Sequence, residues 1–325
     1  MTLETMSAVE RSLRLRQVPL FESLPDDRLA IFAEEARVRR VKKGEELLSE
    51  GMPIDAIYVI VDGEIGVSRQ GVFLHRAGRP DSLGVLDALA GRAAVTARAA
   101  TSAVTLEIGI EAVRGILEDN FDVVIHAFEA IGRLMIKSRK GLGPDAGYPK
   151  PRAALRAAMS PPLGVVQRTL LLRTTLNFGR GSIEALADLA RHAREVRFAE
   201  GDLLWSAGAR ADHLVVLVKG SVHASAPGQS FRFGPGDTAG LMDGLGAAPR
   251  WYSAGAAEPT IGLRVDLEEL YDVLEDDFEL TLDCLGAFAT EAVRLLDEGL
   301  RTSASEEPPR SLPMPRLPRP ERSSA

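Results

Sequence analysis

The sequence predicts an α+β protein of two tandem β-barrel or jelly-roll domains, each flanked by short N-terminal helices and closed by a long C-terminal helix. Three observations predict it: a long internal repeat, β-branched runs punctuated by glycine, and an apolar helical stripe after each set of runs. A length of 325 residues agrees, since one domain rarely exceeds about 200.

The repeat has a constant register. Gly44, Gly51, Asp55 and Gly63 return 157 positions later as Gly201, Gly208, Asp212 and Gly220. Upstream, Leu13, Leu15, Arg16, Phe21 and Leu29 return as Leu170, Leu172, Arg173, Phe178 and Leu186. Downstream, Leu117, Glu118, Asp119 and Phe121 return as Leu274, Glu275, Asp276 and Phe278. Only the middle slips: Gly84, Asp87 and Leu89 match Gly240, Asp243 and Leu245 at 156, so the loop after them is one residue shorter in the first copy. Apolar, acidic and glycine positions held in one register over so long a stretch mark a duplicated domain. The boundaries expected are 1–140 for the first domain, 141–162 for a Gly/Pro-rich linker, 163–300 for the second domain and 301–325 for a Pro/Arg/Ser-rich disordered tail.

Each copy opens on a short amphipathic helix. In 26–36, Leu29, Phe32, Ala33 and Ala36 fall on one face; in 182–193, Leu186, Leu189, Ala190 and Ala193 do the same behind an N-capping Ser182. Runs such as AIYVIVDG and HLVVLVKG follow as strands, with glycines at barrel corners. Asp55 and Asp212 are expected to bond backbone amides in their turns. The stripes Phe121, Val124, Ile125, Phe128, Ile131, Met135 and Phe278, Leu282, Leu285, Phe288, Ala292 then predict long helices. Both stripes are wide enough to face a barrel and another helix, so the two helices are expected to pack within one chain as a pseudo-dimer.

Composition excludes several classes. The longest apolar runs, 56–61 and 214–218, are far short of a membrane span, and the N-terminus has alternating charges where a secretory signal has an apolar core. The single Cys284 forms no intramolecular disulfide, and a cytoplasmic location is expected. A net charge of −7 argues against DNA, and after Gly299 there is no room for a DNA-reading helix pair. His75, His126, His192, His213 and His223 are scattered, without a metal-ligand cluster. In the tail, PMPRLPRP reads either as a polyproline II ligand or as a solvated segment without a partner.

The residues Leu20, Phe21, Leu24, Gly44, Glu45, Gly51, Asp55, Tyr58 and Gly63, with Gly201, Asp202, Gly208, Asp212, Gly220 and the string FGPGDTAG in the second copy, resemble the cyclic nucleotide-binding domain superfamily of the catabolite activator and the protein kinase A regulatory subunit. The resemblance covers residues 11–140 and 168–299. It implies a phosphate-binding cassette in which a Gly-Glu pair opens a short helix. The Glu binds the ribose 2′-hydroxyl, and an Arg about nine residues later pairs with the cyclic phosphate.

Both cassettes depart from that pattern. Gly84 and Gly240 fill the glycine positions, but Val85 and Leu241 stand where the Glu belongs, and neither binds a hydroxyl. Arg250 follows Pro249 at the family spacing. In the first copy Ala93 takes the aligned position, and Arg92 either reaches the pocket through a tightened loop or is a solvated surface charge. Asp87 and Asp243, shared by both copies, either stabilise the first helical turn or replace the lost ribose contact. Ser253 completes the candidate ligand set of Gly240, Asp243, Arg250, Ser253, Gly84, Asp87 and Arg92, with the second pocket expected to be the better phosphate site.

The reading is a non-enzymatic regulatory or scaffolding protein with an unnamed protein partner and nucleotide contacts partly lost. The alternative is a genuine sensor of cAMP or cGMP, binding mainly in the second domain. A metal-dependent barrel enzyme of the cupin type ranks below both.

Overall fold

The computed structural model describes residues 6–19, 21–142, 162–175, 178 and 181–306. Most of the expected linker, the tail beyond 306 and Leu20 lie outside the described residues. In the first half, α1 (Ala8–Leu15) and α2 (Asp26–Glu35) precede β1 (Arg37–Val41), β2 (Glu46–Leu48), β3 (Ala56–Asp62), β4 (Ile65–Arg69), β5 (Val72–Ala77) and β6 (Ser82–Leu83). Next come α3 (Val85–Ala90), β7 (Thr96–Ala99) and β8 (Ala103–Gly109), closed by α4 (Ile110–Asp119) and α5 (Phe121–Lys140). The second half repeats the order: α6 (Val165–Thr174), α7 (Ile183–His192), β9 (Arg194–Phe198), β10 (Leu203–Trp205), β11 (His213–Lys219), β12 (Val222–Ala226), β13 (Gln229–Phe233) and β14 (Thr238–Ala239). It ends with α8 (Leu241–Leu245), β15 (Ser253–Ala256), β16 (Thr260–Asp266), α9 (Leu267–Asp276) and α10 (Phe278–Glu306). Helix α10 thus runs six residues into the segment read from sequence as a disordered tail.

Local chemistry accounts for the helix starts. Ser7 and Glu10 form a capping box at α1, the Glu10 amide donating to Ser7 Oγ at 3.2 Å and the Ser7 amide to Glu10 Oε2 at 2.8 Å. Ser182 caps α7 as its sequence position implies, accepting from the Ala185 amide at 3.0 Å.

Each domain is a pair of four-stranded sheets, β1-β8-β3-β6 over β2-β7-β4-β5 in the first and β9-β16-β11-β14 over β10-β15-β12-β13 in the second, with every pairing antiparallel. Strand β3 is an unbroken apolar run because both its faces are buried: Ala56, Tyr58 and Ile60 enter the barrel core, while Ile57, Val59 and Val61 enter the core beneath the helices. Its register shifts between Ile60 and Asp62, and that of β11 shifts at the equivalent Leu217 and Lys219. The glycines that follow are required twice over. Gly63 and Gly220 have φ of +87° and +84°, and a Cβ would meet backbone at 2.6 Å, Ser102 O in one and Pro259 O in the other.

The two long helices pack on each other within the chain, as the stripes imply, and Phe128 meets Phe288 edge-on at 5.6 Å. Each also lies on the short helix of the other domain, α5 on α8 and α10 on α3. At the α5–α8 crossing a Cβ on Gly132 would fall 2.5 Å from the Cα of Gly246, so the two backbones touch. The end of α5 is capped by the second domain, Gln229 Nε2 donating to the carbonyls of Arg139 at 2.9 Å and Leu142 at 2.6 Å. Gly132→Ala is therefore expected to lower stability by about 1–3 kcal/mol through overpacking. That outweighs the gain of about 1 kcal/mol that the helix makes from alanine. Thermal unfolding checks it, and a raised midpoint would show that the crossing has room.

Candidate functional site

In the second domain the strand-to-helix turn is made by Gly240, whose φ of +84° puts it at the N-cap of α8. The loop after α8 returns Arg250 to the same place. Its backbone is fastened on both sides, the Arg250 amide to Ala209 O at 2.9 Å and the Gly208 amide to Arg250 O at 2.8 Å. The guanidinium is thereby aimed inward, and Arg250 is only 1% exposed. Nη1 donates to Gly240 O at 3.0 Å and to Asp243 Oδ2 at 3.3 Å, and Nη2 donates to the carbonyl of His213. The plane of the guanidinium covers the Trp205 ring, 4.1 Å from its centroid. Asp243 is fully buried. Burial pushes its carboxyl above the usual carboxylate range, against the pull of Arg250.

The space around this pair is filled by aromatic rings. Tyr252 Oη accepts the Gly240 amide at 3.0 Å, and Trp205, Phe231, Phe233 and Trp251 all pack on Tyr252. At the 157-residue offset, Leu48 and Val95 stand where Trp205 and Tyr252 are. The first barrel core is instead mostly aliphatic, with Leu48, Ile60, Ile65, Val67 and Leu83 around a single buried tyrosine, Tyr58, and Ala93 stands where the second copy has Arg250.

Gly240 and Arg250 therefore meet, as the spacing implies; Asp243 joins them by pairing with the guanidinium, a contact that neither sequence reading of this residue gives. Ser253 does something else: its Oγ accepts the Ala207 amide at 2.9 Å and braces the neighbouring turn. In the first domain Gly84 caps α3 with φ of +83°, and Asp87 on that helix accepts the Ala94 amide at 2.6 Å. Burial pushes the Asp87 carboxyl up as well. Arg92 is exposed. Beside Asp87 stands a different arginine, Arg69 of β4, which donates to Ala94 O at 2.7 Å and pairs with Asp297 of α10. Sequence reasoning missed Arg69, Asp297, Trp205 and Tyr252. The two aromatics were detectable as large-for-small exchanges between copies; Asp297 enters only because α10 crosses to the other domain.

The turn acids are structural. Glu45 accepts the Lys42 amide at 2.9 Å and Asp202 the Ala199 amide at 2.7 Å. Asp212 departs from expectation: its carboxylate bonds His213 Nδ1 at 2.6 Å, and its carbonyl accepts the Leu267 amide that opens α9, as the carbonyl of Asp55 accepts the Ile110 amide that opens α4. Cys284 is buried among apolar side chains, which pushes its thiol up. An apolar hollow of about 60 Å³ between α2, α3, α4 and α5, lined by Phe32, Val85, Leu89, Val113 and Ile131 among others, offers a phosphate no partner. Among the described residues there is no cluster of metal-ligating side chains, and no helix is long and apolar enough to cross a membrane.

A family model described as cyclic nucleotide-binding domain matches residues 38–120 and 195–277, about half of the chain. A search of curated proteins finds no match. Among solved structures, the chain is similar to the regulatory domain of Toxoplasma gondii protein kinase A crystallised with cAMP (17% identity, 89% of this chain and 100% of that one, TM-score 0.33). It is also similar to the regulatory subunit of a cAMP-independent protein kinase A from Trypanosoma brucei (16%, 92% and 93%, 0.33) and to that from Trypanosoma cruzi bound to guanosine (13%, 93% and 95%, 0.34).

Proposed function

The chain belongs to the cyclic nucleotide-binding domain family, in two tandem copies, and from that premise we propose that it is a non-enzymatic regulatory or scaffolding protein whose domains have lost the contacts a nucleotide needs. One observation carries the reading: the guanidinium of Arg250, at the family's phosphate position, is buried and engaged by Asp243 and two backbone carbonyls. Support comes from Val85 and Leu241, which give a ribose hydroxyl nothing to bond, and from Ala93, which leaves the first cassette without the aligned arginine. Losing a hydrogen bond to a charged group costs about 1.5–3 kcal/mol, or roughly ten- to 150-fold in affinity. The domains proposed are 1–140 and 163–300, with the second extended by α10 to Glu306. A protein partner is part of the proposal, as is a cytoplasmic setting, where a lone cysteine stays reduced.

The spacing of Gly240, Pro249 and Arg250 favours a second reading, a cAMP or cGMP sensor acting through the second domain (domain B), which needs Arg250 released from Asp243. Isothermal titration of the full chain with cAMP, cGMP and 2′-deoxy-cAMP separates the two. The expected result is no binding, or binding weaker than about 10 μM that ignores the 2′-hydroxyl. Submicromolar affinity with a clear preference for the ribose hydroxyl would overturn the first reading and establish the second.

A further inference from the structure

We infer that Asp243 is a built-in occupant of the oxyanion seat on Arg250, so that the seat in the second domain is filled by the protein's own carboxylate in place of a phosphoryl group. The inference rests on the functional reading above, and it names what fills the site that the nucleotide has left.

A guanidinium taken out of water needs acceptors and a counter-charge. Two carbonyls supply acceptors, and Asp243, itself with no exposed surface, supplies the charge. The fit is incomplete. Only Oδ2 reaches Arg250, at 3.3 Å, while Asp243 Oδ1, Arg250 Nε and Trp205 Nε1 are buried without a hydrogen-bond partner. A carboxylate on a single methylene turns one oxygen toward the guanidinium; a tetrahedral phosphoryl group presents more oxygens and matches the guanidinium fork. The single carboxylate oxygen thus leaves donor capacity on the guanidinium unused, which an oxyanion with more oxygens would take up once the Asp243 side chain is removed.

The surroundings hold the seat in place without Asp243. Gly240 leaves the room that Arg250 uses, since a Cβ there would lie 2.3 Å from Nη1, and Trp205 stacks beneath the guanidinium. The first domain is an internal control. There the aligned arginine is Ala93, and the equivalent carboxylate, Asp87, binds the Ala94 amide at 2.6 Å.

Two variants test this, Asp243→Asn, which keeps the volume and removes the charge, and Asp243→Ala, which also removes the bulk. Thermal unfolding of the full chain is followed in inorganic phosphate and in cAMP, each against chloride at matched ionic strength. Phosphate is expected to raise the midpoint of at least one variant by about 3 °C or more, and to leave the parent and the double variant Asp243→Asn/Arg250→Gln unmoved. If cAMP acts at tenfold lower concentration than phosphate, the displaced occupant is a cyclic monophosphate; if the two act alike, it is the phosphoryl group alone. Folded variants that ignore both anions would overturn the inference, and so would variants that stay unfolded at every anion concentration, because the carboxylate is then not replaceable. Tight nucleotide binding by the parent would instead overturn the functional reading, whatever the variants do.

Discussion

Arg250→Ala is expected to destabilise domain B by about 3–5 kcal/mol, because it leaves the Asp243 carboxylate buried without a counter-charge. It also removes the donors to Gly240 O and His213 O and uncovers the Trp205 ring. The loss should depend on pH with a definite sign. Burial already raises the carboxyl of Asp243 above its ordinary value, and removing the guanidinium raises it further. A carboxyl raised in the folded state favours folding at low pH, below its unfolded value of about 4, and its contribution falls as pH rises through the folded value. The deficit of Arg250→Ala relative to the parent should therefore be larger at pH 8 than at pH 5. The double variant Asp243→Ala/Arg250→Ala should be less damaged at pH 8 than the single sums imply, since a missing pair costs less than a broken one. Urea unfolding at the two pH values measures all of this. A single-variant loss under about 1 kcal/mol, or a deficit that shrinks with rising pH, would show that the pair is not a buried ion pair.

Much of the fold was legible in the sequence because duplication prints the same constraints twice. Gly63 and Gly220 share a positive φ and the same close approach of backbone, so both copies keep glycine, and the 157-residue register exposes them. The helices were legible from period and caps, as at Ser182. The end of α10 was not. Its continuation to Glu306 passes through Thr302, Ser303 and Ser305, which have weak helix preference, and it has no apolar period, so nothing local distinguishes that turn from a tail.

The site was legible at its polar positions and illegible in its pairing. Spacing placed Gly240 and Arg250 together because the loop between them is short and its register is fixed by two strands. It did not reveal that Asp243 engages the guanidinium, since one turn of helix brings a carboxylate equally well toward solvent, an amide or an arginine. Asp87, one copy earlier, binds an amide instead. Arg69 and Asp297 lie on elements of different domains, β4 and α10, and meet only through the way the halves pack. Pairing of that kind belongs to tertiary structure and leaves no local trace.

The packing of the halves should fail at its centre with Phe128→Ala, at a cost of about 3–5 kcal/mol for an emptied aromatic site. Phe128 is fully buried on α5 and meets Phe288 of α10 at an interplanar angle of 87°, a geometry that adds about 0.5–1.5 kcal/mol beyond burial. The effect should reach both domains, because these same helices press on α8 and α3, the short helices that carry Asp243 and Asp87. A single cooperative unfolding transition in the parent is therefore expected to broaden or split in the variant, as each half loses the helix that the other lends it. Phe128→Leu, which keeps most of the volume, should lose less and remain cooperative. In a cycle with Phe288→Ala the second loss should be smaller than the first by about the ring-pair energy, because the partner ring is already gone. Calorimetry of the parent and the four variants, with limited proteolysis to see which half opens, decides it: if Phe128→Ala loses less than about 1 kcal/mol and still melts as one unit, the two domains are joined elsewhere than through α5 and α10.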